Sequence, residues 1–400
     1  MKVVVFAWFM TTILTTLLLM FAGCQSIKRT PTPAKPPVRP AKKIGSYVLL
    51  TAGGINRTPR LSPHGNRILY VSSKRRSHRN PQLYELNLKT HIEERLTFQD
   101  GEIFDGVFDR SGQRIIYSSS TDEIKENPIY LIKAIDQFKN GGEPLSPAEI
   151  RADALSDPKD FWGEKLPPTD IYESMLNGNH LQRFTRTDAF NGEISVDPKS
   201  DEIAFVAYKG GRLVLYRMNL KTHRQVEMSP VPISIATVHA ADEWPQYSPN
   251  GRELAWVHEI SPHKSAIWIA NFNGSNARRL IGGETVYWTP AWVPKNNEIL
   301  FSSNRLKSSV FELYIVKSDG SCLRQLTKNS KFHKPFRMWQ AEIDPDERHI
   351  YFTSDSSGTD QIYKWTLSKK IQSLIKHPCP PPVKSTACAP QSSCVPSKSK

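Results

Sequence analysis

The 400-residue sequence predicts an all-β protein, a six-bladed β-propeller with a helical insertion in its second blade. Three observations predict it. A strand–turn–strand element recurs six times, the interval between copies fits one four-stranded sheet, and each copy is followed by a third strand with an aromatic residue at its centre. Self-similarity at a period of this size is the sequence signature of stacked or radial repeats.

The turns are Leu61-Ser62-Pro63-His64-Gly65, Phe108-Asp109-Arg110-Ser111-Gly112, Val196-Asp197-Pro198-Lys199-Ser200, Tyr247-Ser248-Pro249-Asn250-Gly251, Val293-Pro294-Lys295-Asn296-Asn297 and Ile343-Asp344-Pro345-Asp346-Glu347. Proline presets φ and Gly or Asn tolerates positive φ, which is tight-turn chemistry. Strands rich in β-branched and aromatic residues follow at Ile68–Val71, Ile115–Ser118, Ile203–Val206, Leu254–Val257, Ile299–Phe301 and Ile350–Phe352. The third strands are Leu83–Leu86, Ile171–Ser174, Leu215–Met218, Ile267–Ala270, Leu313–Val316 and Ile362–Trp365, and short fourth strands end in Arg95-Leu96-Thr97, Arg183-Phe184-Thr185 or Gln325-Leu326-Thr327. Anchors at residues 63, 110, 198, 249, 294 and 345 stand 47, 88, 51, 45 and 51 apart, so the second copy carries the insertion. Closing six such sheets in a ring protects their edges.

These turns, strands and Leu-Thr endings resemble the WD-like repeats of the TolB family, over about residues 47–375. The resemblance implies the fold and says little about function, because peptidase and polysaccharide-lyase propellers share the repeat. Two departures stand out. TolB has a separate α/β domain before its propeller, for which this chain leaves no room, and TolB is soluble in the periplasm. Tyr47–Thr51 ends like a fourth strand and is expected to complete the last blade; Ile371–Ile375 is the competing strand.

The ends of the chain set the compartment. Residues 1–23 read as a lipoprotein-type signal peptide, with Lys2 before an apolar stretch and Phe21-Ala22-Gly23-Cys24 at its end. This ending resembles a bacterial lipobox with Phe21 in place of the usual Leu, and makes Cys24 the expected lipidation site. An uncleaved N-terminal anchor is the alternative. Gln25, in place of Asp, implies the outer membrane, with the body facing the periplasm and surface exposure left open. Residues 24–46 form a Pro-rich, basic stalk, residues 47–375 the propeller, and residues 376–400 a disordered Pro/Cys/Lys tail.

Charge is distributed to match. The chain carries +14, yet residues 1–46 hold seven Lys/Arg and residues 369–400 hold six, neither with an acidic residue, which leaves the body at 40 basic against 39 acidic. The excess lies in the tails, which argues against nucleic acid and toward anionic lipid or cell-wall polymer; simple solubilisation is the other reading. Apart from Cys24, Cys322, Cys379, Cys388 and Cys394 allow three pairings, and an oxidising compartment favours disulfides over metal.

In a propeller, blade-to-blade loops and the loops between second and third strands share one face, here called the top. The expected partner-binding residues on it are Arg57, Phe104, Asp105, Glu193, Glu243, Trp244, Trp288, Arg337 and Trp339, with Tyr287 nearby. Aromatics and Arg are the residue types that anchor interfaces; the competing reading is that the tryptophans plug the channel or pack between blades. The insertion, residues 122–169, falls on the same face. Asn127-Pro128 and Ser146-Pro147-Ala148-Glu149 are helix-start patterns, so the segment is expected to form a small helical cap or to pack outside blade two. Lys74, Arg75, Arg76, His78 and Arg79 form a basic loop that could attract an acidic partner or simply be solvated.

No catalytic residues, cofactor or metal site are expected. The sequence has no Gly-x-Ser-x-Gly, His-Glu-x-x-His, Walker or EF-hand motif. His239 and His333 are the histidines in expected top loops. The sequence reading is therefore a monomeric, non-catalytic envelope scaffold that binds a protein or peptidoglycan-associated partner and reaches the membrane through its lipid. A lyase-like enzyme acting on polysaccharide is the alternative.

Overall fold

The computed structural model describes residues 43–44, 46–99, 101–121, 168–210, 212–228, 241–261, 264–306, 310–328 and 336–376. They form six antiparallel sheets arranged as propeller blades. Blades one to five follow sequence order, strands a to d from the axis outward, and blade six takes its outer strands from the N-terminal side of the propeller. The inner a strands, Ile55–Leu61, Ile103–Phe108, Asn191–Val196, Ala241–Tyr247, Tyr287–Trp292 and Met338–Ile343, touch their neighbours around the ring. All six expected turns join strands a and b, on the face called the bottom. Gly65, Gly112 and Gly251 occupy them at φ of 66°, 69° and 70°, where a side chain would be strained. In blade six, Glu347 takes that conformation at φ 58°.

The aromatic at the centre of each third strand has a structural reason. In every blade it lies directly opposite an aromatic on strand b: Tyr70 and Tyr84, Tyr117 and Tyr172, Phe205 and Tyr216, Trp256 and Trp268, Phe301 and Tyr314, Phe352 and Tyr363. Ring centroids in the six pairs lie 5.6 to 6.2 Å apart, the range in which such pairs add to simple burial. Between blades, six buried clusters fill the boundaries. Leu69, Leu83 and Tyr117 join blades one and two; Phe352, Tyr363 and Leu313 join blades five and six; Tyr70, Tyr351 and Ile362 close the ring between six and one.

Ring closure uses the N-terminal strand. Tyr47, Val48 and Leu49 pair with Trp365, Lys364 and Tyr363, as the d strand of blade six. Residues 371–375 lie instead in a helix, Lys369–Lys376. The Leu-Thr endings explain why both ends of the chain fit one blade. Thr97, Thr185 and Thr327 each accept, at 2.9 Å, the N–H of the second residue of their strand c. Thr185 and Thr327 also donate to Asp170 and Glu312. Thr51 repeats the device across the closure, accepting from Ile362 N at 3.0 Å and donating to Gln361 Oε1 at 2.9 Å.

The expected helical insertion lies outside the described residues, except for its two feet. Thr121 and Thr169 are both buried, and Tyr172 donates its hydroxyl to Thr121 O at 2.5 Å. Cys322, after the outer turn of blade five, is disulfide-bonded. Cys379, Cys388 and Cys394 fall outside the described residues, as do Cys24 and the stalk up to residue 42. Among the described residues no helix is long and apolar enough to cross a membrane.

Thr51→Val keeps the shape of the closure but leaves Ile362 N without its side-chain acceptor and removes one of the two bonds to Gln361 Oε1. It is expected to lower stability by about 1–3 kcal/mol, read as a lower urea midpoint with an unchanged slope.

Candidate functional site

The a strands do not run straight. In blades one, three, four, five and six the pairing with strand b slips at an extra residue, and Thr58, Glu193, Trp244, Thr289 and Gln340 sit there at φ between 45° and 54°. A left-handed residue in a bulge leaves its N–H out of the ladder. In three of these blades that N–H crosses to the preceding blade. Thr58 N donates to Gln340 Oε1 at 2.9 Å, Gln340 N to Thr289 Oγ1 at 3.0 Å, and Trp244 N to Glu193 Oε2 at 2.8 Å. Blade two supplies Asp105, whose Oδ2 accepts from Ile194 N at 2.7 Å. The bulge side chains thus clasp one blade to the next along the channel wall.

Asp105 and Glu193 are therefore buried and engaged between blades. Trp244 is 5 % exposed and lines the channel with its ring face against Arg60, whose guanidinium carbon lies 5.8 Å from the ring centre. Arg60 holds the axis, with Nη1 3.3 Å from Glu342 and Nη2 3.9 Å from Asp105. Burial opposes its charge, but the Asp105 and Glu342 carboxylates more than offset that and raise its pKa. Carboxylates outnumber it. Burial, then Glu243, push Glu193 well above the usual range. Glu243, half-buried above it, is pushed up to about 8 by burial, then by Glu259 and Asp242.

The other expected residues divide. Phe104 packs edge-on against Phe190 of blade three, centroids 4.7 Å apart. Arg57 bridges to Asp360 of blade six at 2.5 Å. Tyr287 is buried in the core between blades four and five. Trp288 and Trp339 come together. Both are half-buried, 6.5 Å apart at 47°, and Phe311 completes a triangle at 6.1 and 6.5 Å. Exposed Arg337 lies over Trp339 at 4.3 Å and is held by Asp355, with Nε–Oδ2 at 2.8 Å. This cluster at the top of blades five and six is the most interface-like of the expected set.

The basic loop of blade one splits as well. Arg75 and His78 are buried, Arg75 over the Tyr84 ring at 4.3 Å and His78 Nε2 2.8 Å from the Tyr84 hydroxyl. Burial, then Arg95, depress His78 to about 3, so it stays neutral. Arg76 and Arg79 are exposed. His239 and His333 lie outside the described residues. His258 is enclosed in blade four, paired with Asp242 at 2.8 Å. Among the described residues no three of His, Cys, Asp or Glu form a group able to hold a metal.

Sequence reading missed Arg60, Gln340, Phe311 and Asp355. One signal was available: Pro59, Pro245 and Pro290 follow the bulge residues, and proline inside an inner strand marks a break in the ladder.

A carboxyl raised in the fold takes up protons that the unfolded chain does not, so its stabilisation is present at low pH and lost as pH rises through the folded value. For Glu243, melting temperature is expected to fall between pH 6.5 and 9, a window in which neutral His78 contributes little. Glu243→Gln should flatten that slope and melt above the parent protein at pH 9.

With this geometry in place, comparison with known proteins places the fold. Residues 235–376 match the TolB beta propeller domain family. An uncharacterized protein of Agrobacterium fabrum is 27% identical over 151 residues, 38% of this chain and 47% of that protein, so the match spans about half the length of that relative. A TolB candidate from Agrobacterium tumefaciens superposes with a TM-score of 0.51 at 14% identity, covering 80% of this chain and 93% of the other. Oligogalacturonate lyase from Vibrio parahaemolyticus gives a TM-score of 0.50 at 11% identity, covering 81% and 84%. Identities this low speak for fold alone. Together with six blades and a matching repeat, they identify the body of this chain as a TolB-like β-propeller.

Proposed function

We propose that the protein is a non-catalytic scaffold of the bacterial envelope that binds a protein or cell-wall partner through its top face. The observation that carries this reading is the Trp288–Phe311–Trp339 triangle with Arg337 fixed over it. Half-buried tryptophans beside an ordered guanidinium present a large contact area whose side chains have already lost most of their freedom, the usual make-up of an interface anchor. Arg57, Phe104 and Glu243 lie at the same level of neighbouring a strands and form the surroundings of that anchor. Asp105, Glu193 and Trp244 lie in the channel wall instead, holding the inner strands of blades two to four in place.

The test is crosslinking in intact cells followed by affinity capture. A Trp288→Ala/Arg337→Ala double variant should fold normally by circular dichroism and melting yet lose its captured partner. Truncating buried aromatic or Arg anchors typically costs about 2 kcal/mol or more, over tenfold in affinity. Capture at the parental level would move the site elsewhere, and unfolding would show that these side chains pack the propeller.

Tethering is proposed on the sequence alone. Cys24 carries the lipid, and the stalk holds the propeller off the outer membrane on its periplasmic side. Cys24→Ala is expected to leave the membrane fraction or to accumulate as uncleaved precursor. Unchanged size and fractionation, without incorporation of labelled fatty acid in the parent, would refute the anchor.

A further inference from the structure

The bottom mouth of the channel holds a second feature, independent of the top-face cluster. Strand ends from all six blades enclose a cavity of about 240 Å³. Phe108, Trp292 and Ile343 contribute apolar wall, while Arg60, Gln246 and Glu342 form its polar floor. Arg60 is only 9 % exposed, yet its Nε and Nη2 are buried without a hydrogen-bond partner, only Nη1 being bonded to Glu342. Two unsatisfied donors on one edge of a guanidinium are costly to bury. That edge is also the fork that engages paired oxygen acceptors. Gln246 gives its main-chain oxygen to Trp292 Nε1 at 3.0 Å, and its carboxamide has no partner among the described residues.

Charge selects what fits. An anion on Arg60 would also face Asp105 and Glu342, which already surround the guanidinium. A cation would face Arg60 itself. A neutral ligand with both donors and acceptors avoids either cost. The aromatic walls favour a ring that offers a C–H face, and the volume, below that of ordinary drug-sized sites, fits one ring.

We propose that the bottom mouth is a binding site for a neutral, hydroxyl-rich ring, one residue of a sugar. As the ring enters, the Arg60 side chain turns its closed-off Nε–Nη2 edge to two ligand oxygens. Glu342 accepts from a hydroxyl, Gln246 does both, and the ring rests against Trp292 and Phe108. The same chemistry serves a free monosaccharide or the terminal residue of a glycan.

Ligand-observed NMR and titration calorimetry on the whole protein test this, with glucose and N-acetylglucosamine as neutral probes. Glucuronate and glucosamine are the charged controls, and chitotriose is the glycan arm. At least one neutral sugar is expected to bind with a Kd of about 1 mM, and the charged sugars at least about tenfold more weakly. Chitotriose binding as well as N-acetylglucosamine would assign the site to a glycan end, and chitotriose failing to bind would assign it to the free sugar. Gln246→Leu alters no described hydrogen bond of that side chain and should weaken binding at least about tenfold with an unchanged melting temperature. Arg60→Met should abolish it. The top-face Trp288→Ala/Arg337→Ala variant should bind sugar normally, which separates failure here from failure of the top-face reading. Three results would overturn the proposal: no neutral sugar bound up to about 50 mM, binding indifferent to Gln246→Leu, or glucuronate bound as tightly as glucose.

Discussion

The structure depends on one backbone constraint, the bulge in the inner strand. A left-handed residue there frees an N–H from its own sheet, and a buried donor without an acceptor is costly. The preceding blade supplies the acceptor: Gln340 for Thr58, Thr289 for Gln340, Glu193 for Trp244. Blade packing alone is apolar and non-directional. The clasp adds direction, fixing how deep each blade sits against the last and therefore how wide the channel is. It also puts carboxylates near the axis, where Arg60 is drawn in to meet them and burial raises the pKa of Glu243 and Glu193.

Most of the fold was legible because its devices are local and repeated. Pro-x-Gly turns, β-branched b strands and a central aromatic on strand c are each set within a few residues, and six copies reinforce one another. Even the ring closure was legible, since Tyr47–Thr51 carries the same Thr ending as the other d strands. The channel was not. A bulge inserts one residue and inverts the alternation beyond it, so a period-two reading assigns Arg60 and Glu342 to the wrong side of their strands. Asp105 and Glu193 were found by position, but their partners, Ile194 and Trp244 N–H groups, are backbone atoms that no residue type announces.

The two ends of the channel differ in kind. Above, half-buried tryptophans and Arg337 meet the solvent on a broad surface suited to a macromolecule. Below, Arg60 with Gln246 and Glu342 lies at the base of a narrow cup that admits something small. One guanidinium links them physically, since Arg60 lies against both Trp244 and the lower cavity.

The closing strand also governs how the protein is made. Thr51 bonds Gln361 across 310 residues of chain, so the first strand of the propeller to emerge is among the last to be paired. Until blade six exists, blade one meets no neighbour on its Tyr70 side, and the edge of Tyr47–Leu49 that pairs with Tyr363–Trp365 stays open. Such long-range closure folds slowly and leaves a sticky edge waiting. A chain exported in extended form would keep that edge unpaired until its last blade had crossed, which gives chaperones a defined window and a defined strand to guard.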